Sequence, residues 1–458
     1  MGGKWQKNQM LLAFMQESRG EAPMACAGGT EPPAAKREPE SPAEDERLME
    51  VVCDRENLWK ALRRVRANKG SPGVDGMTVQ QLPDYLKEHW PAIREQLLEG
   101  AYRPQPVKRV EIPKPDGGVR KLGIPTVLDR FIQQAVLQVL QEPWDPTFSQ
   151  HSYGFRPGRS GHQAVAAVQQ YMADGLRWVV DLDLEKFFDR VNHDRLMAAV
   201  AQRVKDKRVL KLIRAFLNAG VLENGLVSST DEGTPQGGPL SPLLSNLVLD
   251  ELDQELEKRG HRFARYADDC NIYVRSERAG RRVMSSVTQF ITRRLKLKVN
   301  EAKSAVARPW GRKFLGFSFT NGREPKRRIA PKARQRFKDR VRELTRRTRG
   351  VSLPVMVTQL AEYLRGWRGY FGFCQTPSVL KELDSWVRRR LRCVQWKQWK
   401  RGKRRFAELR RLGVGKDLAA QTAGSPHGPW RISRSPALSF ALPDAFFVAL
   451  GLPLLSVR

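Results

Sequence analysis

The chain has 458 residues, 40% of them hydrophobic, with 81 Lys+Arg against 49 Asp+Glu, a net charge of +32 and a pI near 10.4. That length buries one or more full cores and excludes a peptide-sized module, while a charge so far beyond what solubility needs points to a polyanion, above all nucleic acid. The scattered Cys26, Cys53, Cys270, Cys374 and Cys393 form no CxxC pair and no Cys/His grouping at zinc spacing, which argues against a structural zinc and for a reduced, cytoplasmic protein.

Met10–Met15 is too short an apolar run for a secretory leader and is followed by Glu17, Arg19 and Glu21. Residues 18–48, rich in Glu, Pro, Ala and Gly, are expected to be a disordered tether. A helical pattern through Val52, Leu58, Trp59, Leu62 and Val65 ends at Asn68–Gly73. Its Arg63, Arg64, Arg66 and Lys69 read equally as a phosphate-facing or a solvated face. Gly73–Gly76 is a turn, and residues 78–99 are helical again. A strand pair, Val107–Pro113 and Gly118–Pro125, is joined by the turn Lys114-Pro115-Asp116-Gly117. Residues 127–140 form an amphipathic helix, and Tyr153–Ser160 is a Gly/Pro-rich basic loop before another.

Arg177–Asp189 reads as a strand with Trp178, Val180 and Leu182 on one side and Asp181 and Asp183 on the other. Residues 263–274 read as a hairpin whose tip holds Asp268 and Asp269. A helix at 279–296 and a β-like stretch Phe314–Phe319 follow. The chain then changes character, with thirteen Lys/Arg against three acids from Arg323 to Arg349. Leu360, Tyr363, Leu364, Trp367, Tyr370 and Phe371 mark a buried helix face. From Arg388 to Arg411 there are twelve Lys/Arg against Glu408 alone, interleaved with Trp396 and Trp399. The rings are expected in the core, and the arginines, with so few acids beside them, on phosphate. Phe440–Leu455, broken by Pro443, Asp444 and Pro453, cannot span a bilayer and is expected to pack as a terminal core element.

Adjacent carboxylates at a hairpin tip repel each other unless a cation sits between them. A strand end presenting Asp183 beside a hairpin presenting Asp268 and Asp269 puts three carboxylates within reach of a pair of metal ions. That is the arrangement of nucleotidyl transfer, and oxygen ligands without cysteine favour Mg²⁺ over zinc.

The motifs SPGVDG at 71–76, IPKPDGGVRKLGIP at 112–125, SYGFRPGRS at 152–160, DLDLEKFFD at 181–189, GTPQGGPLSPLLSN at 233–246, YADD at 266–269, LKVNEAKS at 297–304 and FLGFSF at 314–319 occur in that order. With LRGWRGYFG and WVRRRLRCVQWKQWK in the tail, the chain resembles the group II intron-encoded reverse transcriptase/maturase family, especially bacterial forms without a C-terminal endonuclease. The resemblance implies an α+β right-hand polymerase, with fingers, a palm on a small antiparallel sheet and a helical thumb, followed by a basic helical C-terminal region. The corresponding division is a tail at 1–50, fingers and palm at 51–320, a thumb and maturase-specific region at 321–400 and a nucleic-acid-binding region at 401–458.

Residue by residue, the resemblance implies that Asp183, Asp268 and Asp269 form the catalytic set, holding two Mg²⁺ ions with the Leu184 carbonyl as a minor ligand. Lys303 would protonate pyrophosphate. Lys114 and Arg120 would grip the triphosphate, and each alone also reads as part of an ordinary cationic hairpin. Phe187 would meet the sugar, one of Phe187 and Phe188 being core in either case. Gln236 and Gly237 would line the base and template, and Arg156 and Arg159 would touch template or nucleotide phosphates. Phe314, Leu315 and Gly316 would hold the primer end, in a segment that also reads as a core strand. Expected partners are intron RNA and RNA template, DNA primer or target, and dNTPs, with no membrane. No Cys/His-rich nuclease module follows residue 430, so no DNA cleavage is expected, and primers would come from strands already at the target. The competing readings are a splicing maturase with vestigial polymerase activity and a reverse transcriptase of a diversity-generating or defence system. The intact aspartates argue against the first and the long basic tail against the second.

Overall fold

The computed structural model describes residues 47–113, 118–223, 226–228 and 237–456, so the expected tether at 18–48 lies almost wholly outside the described residues. The strands are β1 (Val107–Pro113), β2 (Val119–Ile124), β3 (Trp178–Leu182), β4 (Val221–Glu223), β5 (Leu226–Ser228), β6 (Arg262–Tyr266), β7 (Asp269–Val274), β8 (Ala305–Ala307), β9 (Phe317–Phe319) and β10 (Arg327–Ile329). Two compact units share the chain: Met1–Ser160, Val180–Ile272 and Arg278–Val306 form one, and Gly161–Val179, Tyr273–Glu277 and Ala307–Arg458 form the other. Among the described residues no helix is long and apolar enough to cross a membrane.

In the first unit, helix Arg55–Asn68 starts where the Asp54 carboxylate accepts from the Glu56 and Asn57 N–H groups, and it ends at Lys69, whose φ is 47°. It buries Leu58, Ala61, Leu62 and Val65, which share one face at three- and four-residue spacing. β1 and β2 pair antiparallel from Lys108↔Ile124 to Pro113↔Val119, and β4 joins β1 in parallel to give the order β2-β1-β4-β5. Helix Val127–Trp144 opens on a reciprocal cap. Thr126 Oγ1 accepts from the Asp129 N–H (3.0 Å) and donates to Asp129 Oδ2 (2.6 Å), while the Tyr102 hydroxyl donates to Asp129 Oδ1 (2.9 Å). Burial nonetheless pushes the Asp129 carboxyl up.

The second sheet runs β6-β7-β3-β8. Helix Ser241–Lys258 packs on β6 and on helix His193–Arg203, burying Leu243, Leu247, Leu252 and Leu256 and also Asn246 and Asp253, which reach Arg265 of the hairpin.

In the second unit one apolar core runs from Ile329 through Trp396 and Trp399 to Leu455 without a break near residue 400. It joins helices Pro331–Leu344, Leu353–Phe371, Pro377–Gln398 and Gly402–Arg411 to the short helices near the C-terminus. Trp396 and Trp399 are 1% and 3% exposed, in the core as expected. The end of the chain is tied down by the Leu455 and Ser456 N–H groups, which both donate to the Asp384 carboxylate at 2.9 Å.

Two expectations change here. The β-like stretch Phe314–Phe319 is a two-residue turn followed by the short strand β9, because Leu315 and Gly316 both take positive φ (50° and 81°). Phe314 and Phe317 close that turn by exchanging both backbone hydrogen bonds at 2.9 Å. The arginines at 388–392, expected on phosphate, largely serve the fold. Arg388 pairs with Asp444 (2.6 Å), Arg390 Nε donates to Thr345 Oγ1 (2.7 Å) and Arg392 Nε donates to the Leu442 carbonyl (2.9 Å). Helix Pro377–Gln398 buries much of its surface, so guanidinium groups on its flanks meet neighbouring carbonyls before they meet solvent.

Candidate active site

The hairpin β6–β7 turns through Ala267 and Asp268, with Ala267 at φ 56°, a region that side chains with a Cβ enter at a cost. Arg265, fully buried, holds that turn from behind. Its Nη1 donates to the Ala267 carbonyl and to Asn246 Oδ1, both at 3.0 Å. Its Nε and Nη2 grip the Asp253 carboxylate at 2.7 and 2.5 Å, and Nη2 also reaches Ser152 Oγ at 2.7 Å. Burial works against this guanidinium's charge, but the Asp253 carboxylate more than offsets it and holds Arg265 above its ordinary value. Gly154 completes the support, since a Cβ there would stand 2.2 Å from the Ala267 nitrogen. Its carbonyl accepts from Asn246 Nδ2 at 2.9 Å.

Asp183 sits just past the end of β3, in a segment pinned to residues 298–300. The Asn300 N–H donates to the Asp183 carbonyl (2.8 Å) and the Glu185 N–H to the Lys298 carbonyl (2.8 Å), bracketing the bridge Leu184↔Val299. Peptide groups alternate along such a ladder, so the Leu184 carbonyl points away from residues 298–300. Ser304 Oγ accepts from the Asp183 N–H (3.0 Å), and Lys303 Nζ lies 3.7 Å from Asp183 Oδ2.

β3 and β7 are neighbours in the sheet, and the Asn271 amide, turned so that its nitrogen faces β3, donates to Asp181 Oδ1 at 2.9 Å. Asp183 and Asp268 are half-buried and Asp269 is exposed. Among the described residues no three His, Cys, Asp or Glu side chains converge as a ready-made metal cage. The donors are nevertheless all oxygen, carboxylates and a backbone carbonyl, and this suits Mg²⁺, which binds through one or two carboxylates together with substrate phosphates and water. Cys270, between these acids and buried, has its thiol pushed far up by desolvation and stays protonated.

The remaining predicted residues fall differently. Arg156, expected on phosphate, is turned inward with its side chain 3% exposed, donating to Asp145 Oδ1 (2.8 Å) and to the Ser149 (2.5 Å) and Ser152 (3.0 Å) carbonyls. Its donors serve the loop, which needs them to satisfy buried carbonyls. Arg159 is more open, over the Tyr153 ring at 5.8 Å and bonded to Gln150. Phe187 is 2% exposed and stands edge-on to the half-buried Phe188. Gly237 has φ 143°, and a Cβ there would come within 2.5 Å of the Gly123 carbonyl on β2. Lys114 and Gln236 lie outside the described residues, and Arg120 is described by its backbone, opposite Ile112. Phe314, Leu315 and Gly316 belong to the second unit, where the Tyr370 hydroxyl donates to the Leu315 carbonyl (2.8 Å).

The supporting set of Arg265, Asp253, Asn246, Gly154 and Ser304 was not singled out from the sequence. The one visible signal was an arginine between Ala264 and Tyr266 in the hairpin strand, with Asn246 and Asp253 seven residues apart on one helix face.

Residues 112–319 match the family described as reverse transcriptase (RNA-dependent DNA polymerase), the class that the sheet, hairpin and aspartates define. Residues 334–413 match the group II intron maturase-specific domain. The two together, in this order, place the chain in the group II intron-encoded reverse transcriptase/maturase family. Relatives include protein YkfC of Escherichia coli, 41% identical over 47% of this chain and 58% of that protein. The group II intron-encoded protein LtrA of Lactococcus lactis is 38% identical over 45% of this chain and 35% of its own length. A COX1/OXI3 intron 2 protein of Saccharomyces cerevisiae is 31% identical over 46% of this chain and 25% of its own length. The matched segment thus spans less than two thirds of each of these relatives.

Proposed function

We propose that this chain is an Mg²⁺-dependent RNA-directed DNA polymerase that copies group II intron RNA into cDNA from dNTPs on a DNA primer during intron mobility, and that it also binds the intron RNA to assist splicing. The observation that carries the reading is the doubly pinned Asp183 segment, with Lys303 Nζ 3.7 Å from its carboxylate and the Asp268–Asp269 hairpin on the neighbouring strand.

Bound Mg²⁺ would be held by Asp183, Asp268, Asp269 and the Leu184 carbonyl, and would supply a lowered pKa at the primer 3′-hydroxyl and charge neutralisation at the leaving pyrophosphate. Lys303 keeps a proton at Nζ for the departing pyrophosphate and balances Asp183 meanwhile. Lys114 and Arg120 grip the triphosphate. Gln236 and Gly237 line the base, the Phe187–Phe188 pair walls the sugar, and Arg159 meets template phosphate. The rigid Phe314-Leu315-Gly316 turn supports the primer end. Residues 51–320 act as fingers and palm, 321–400 as thumb and maturase-specific region, and 401–458 as a basic extension sharing that region's core.

The test is primer extension on an RNA template with Mg²⁺ and dNTPs. Asp268→Ala should abolish extension while RNA affinity stays within about two-fold, since one half-buried acid contributes little to phosphate contact. Continued cDNA synthesis by that variant overturns the assignment. RNA binding without any extension by the unaltered chain would leave the splicing role alone.

A further inference from the structure

In the second unit, Arg342, Thr345, Arg347, Trp386, Arg390, Cys393, Val394 and Trp430 line a cavity of about 290 Å³. Three guanidinium groups and two indoles thus share one small space, supplied by helices Pro331–Leu344, Pro377–Gln398 and Pro429–Ile432 and the segment after the first of these.

The charges there are poorly compensated. Arg342 has a partner in Asp339 (2.5 Å). Half-buried Arg390 spends its Nε and Nη2 on the hydroxyl and carbonyl of Thr345 (2.7 and 3.4 Å), which leaves its charge unanswered. Among the described residues no carboxylate pairs with Arg390 or Arg347, and burial together with Arg342 and Arg347 holds Arg390 below its ordinary value. A half-buried guanidinium facing two exposed like charges is unfavourable until an anion joins them.

The indoles give the anion its second feature. Trp386 is ringed by Lys338, Arg342 and Arg390 at 5.5–5.8 Å from its centroid. Trp430, 39% exposed, carries Arg389 over its ring at 3.8 Å, and Arg389 Nη2 donates to the Trp430 carbonyl (3.0 Å). Flat apolar surfaces beside guanidinium groups suit a ring that bears a phosphate, and a space of this size admits one such unit but not a helix of paired bases.

We propose that this cavity captures a single unpaired nucleotide of RNA, with its phosphate on Arg347 and Arg390 and its base against Trp386 and Trp430. The inference rests on the reading of the chain as an intron-RNA binder and adds a defined site to it: the tail recognises an unstacked residue and not only the phosphate backbone.

The experiment uses the full chain with Trp430→Ala and Arg347→Gln, both at exposed positions, so that the core stays intact. Probes are a single-stranded RNA 12-mer, the same 12-mer with abasic residues, and a fully paired RNA hairpin of equal charge. Primer extension is measured in parallel. Each variant should bind the single strand about ten-fold more weakly and the hairpin unchanged, and Trp430→Ala should bind the abasic strand as the unaltered chain does. Equal losses on all three probes, or no loss on any, overturn the proposal. So does competition by millimolar free mononucleotide as effective as that by RNA, which would mark a site for small nucleotides. If the unaltered chain binds RNA but does not extend a primer, the polymerase reading falls and the cavity's test still stands. If the unaltered chain does not bind RNA, both fall.

Discussion

Arg265 shows how much of the proposed site can depend on a residue buried behind it. Its side chain and that of Asp253 are 1% and 0% exposed, and the pair holds the carbonyl of the one residue whose φ makes the hairpin tip possible. Removing one partner of a buried pair strands the other charge, so Arg265→Met should lower stability by about 3–5 kcal/mol, read from urea midpoints. Adding Asp253→Leu should recover a large part of that loss, because the stranded carboxylate is then gone. Gly154→Ala is a subtler probe, since its Cβ would sit 2.2 Å from the Ala267 nitrogen. It should cost about 1–3 kcal/mol as overpacking and depress primer extension more than RNA affinity, because the turn carrying Asp268 must shift.

At the scale of elements, helix Leu48–Val52, the first helix among the described residues, is latched by a charge cluster. Arg208 bonds Glu50 at 2.7 Å and Asp206 at 2.9 Å, and Asp206 also accepts from the Met49 N–H at 2.9 Å. The Arg208 hydrogen bond lowers the Glu50 carboxyl, and at Asp206 the bonds from Arg208 and Met49 outweigh burial, so both acids titrate below their ordinary values. Depressed folded-state values mean that this stabilisation is fully present above the unfolded values near pH 4 and is lost as pH falls through the folded ones. Thermal melts from pH 7 to pH 3 should show a loss that Arg208→Met removes, leaving a variant less stable at pH 7 and flatter toward acid.

Periodic elements were legible in sequence. β1 spans Val107–Pro113 as expected beside the Lys114–Gly117 turn, and the hairpin 263–274 resolves into β6 and β7. The helices His193–Arg203 and Lys207–Leu217, each with a capping side chain at Asn192 or Asp206, went unread, although those caps were a usable signal. The stretch at 314–319 misled because Phe-Leu-Gly-Phe has strand composition while its middle residues take left-handed φ, a choice made by packing: a Cβ on Gly316 would lie 3.1 Å from the Phe371 ring.

For the molecule as a whole, a net charge of +32 would govern how the proposed RNA is met, and the structure sorts its cations into two kinds. Arg156, Arg388 and Arg392 are committed to Asp145, Asp444 and the Leu442 carbonyl. Lys400, Arg401, Lys403 and Arg404 are exposed and close together in sequence. Changing all four to Gln should flatten the dependence of log K on log salt by roughly 3 for single-stranded RNA, at about 0.7 per phosphate contact, with the melting temperature little changed. An unchanged slope would show that this patch does not meet the backbone. Deleting 388–411 would be a poor probe, because Leu391, Val394, Trp396 and Leu409 belong to the core of the second unit.

By itself the sequence determined the polyanion-binding character, the order of the motifs and the three aspartates, because charge, spacing and period-two alternation are local properties that can be read along the chain. Only the tertiary structure decided which arginines are free for phosphate and which side chains hold the Asp183 segment and the hairpin in place. Those roles depend on contacts such as Arg265 with Ser152, 113 positions apart, and Asp183 with Ser304, 121 positions apart. Burial turned equivalent-looking arginines into opposite kinds: a guanidinium drawn out of water is held by partners inside the fold, while one left in water stays available to RNA.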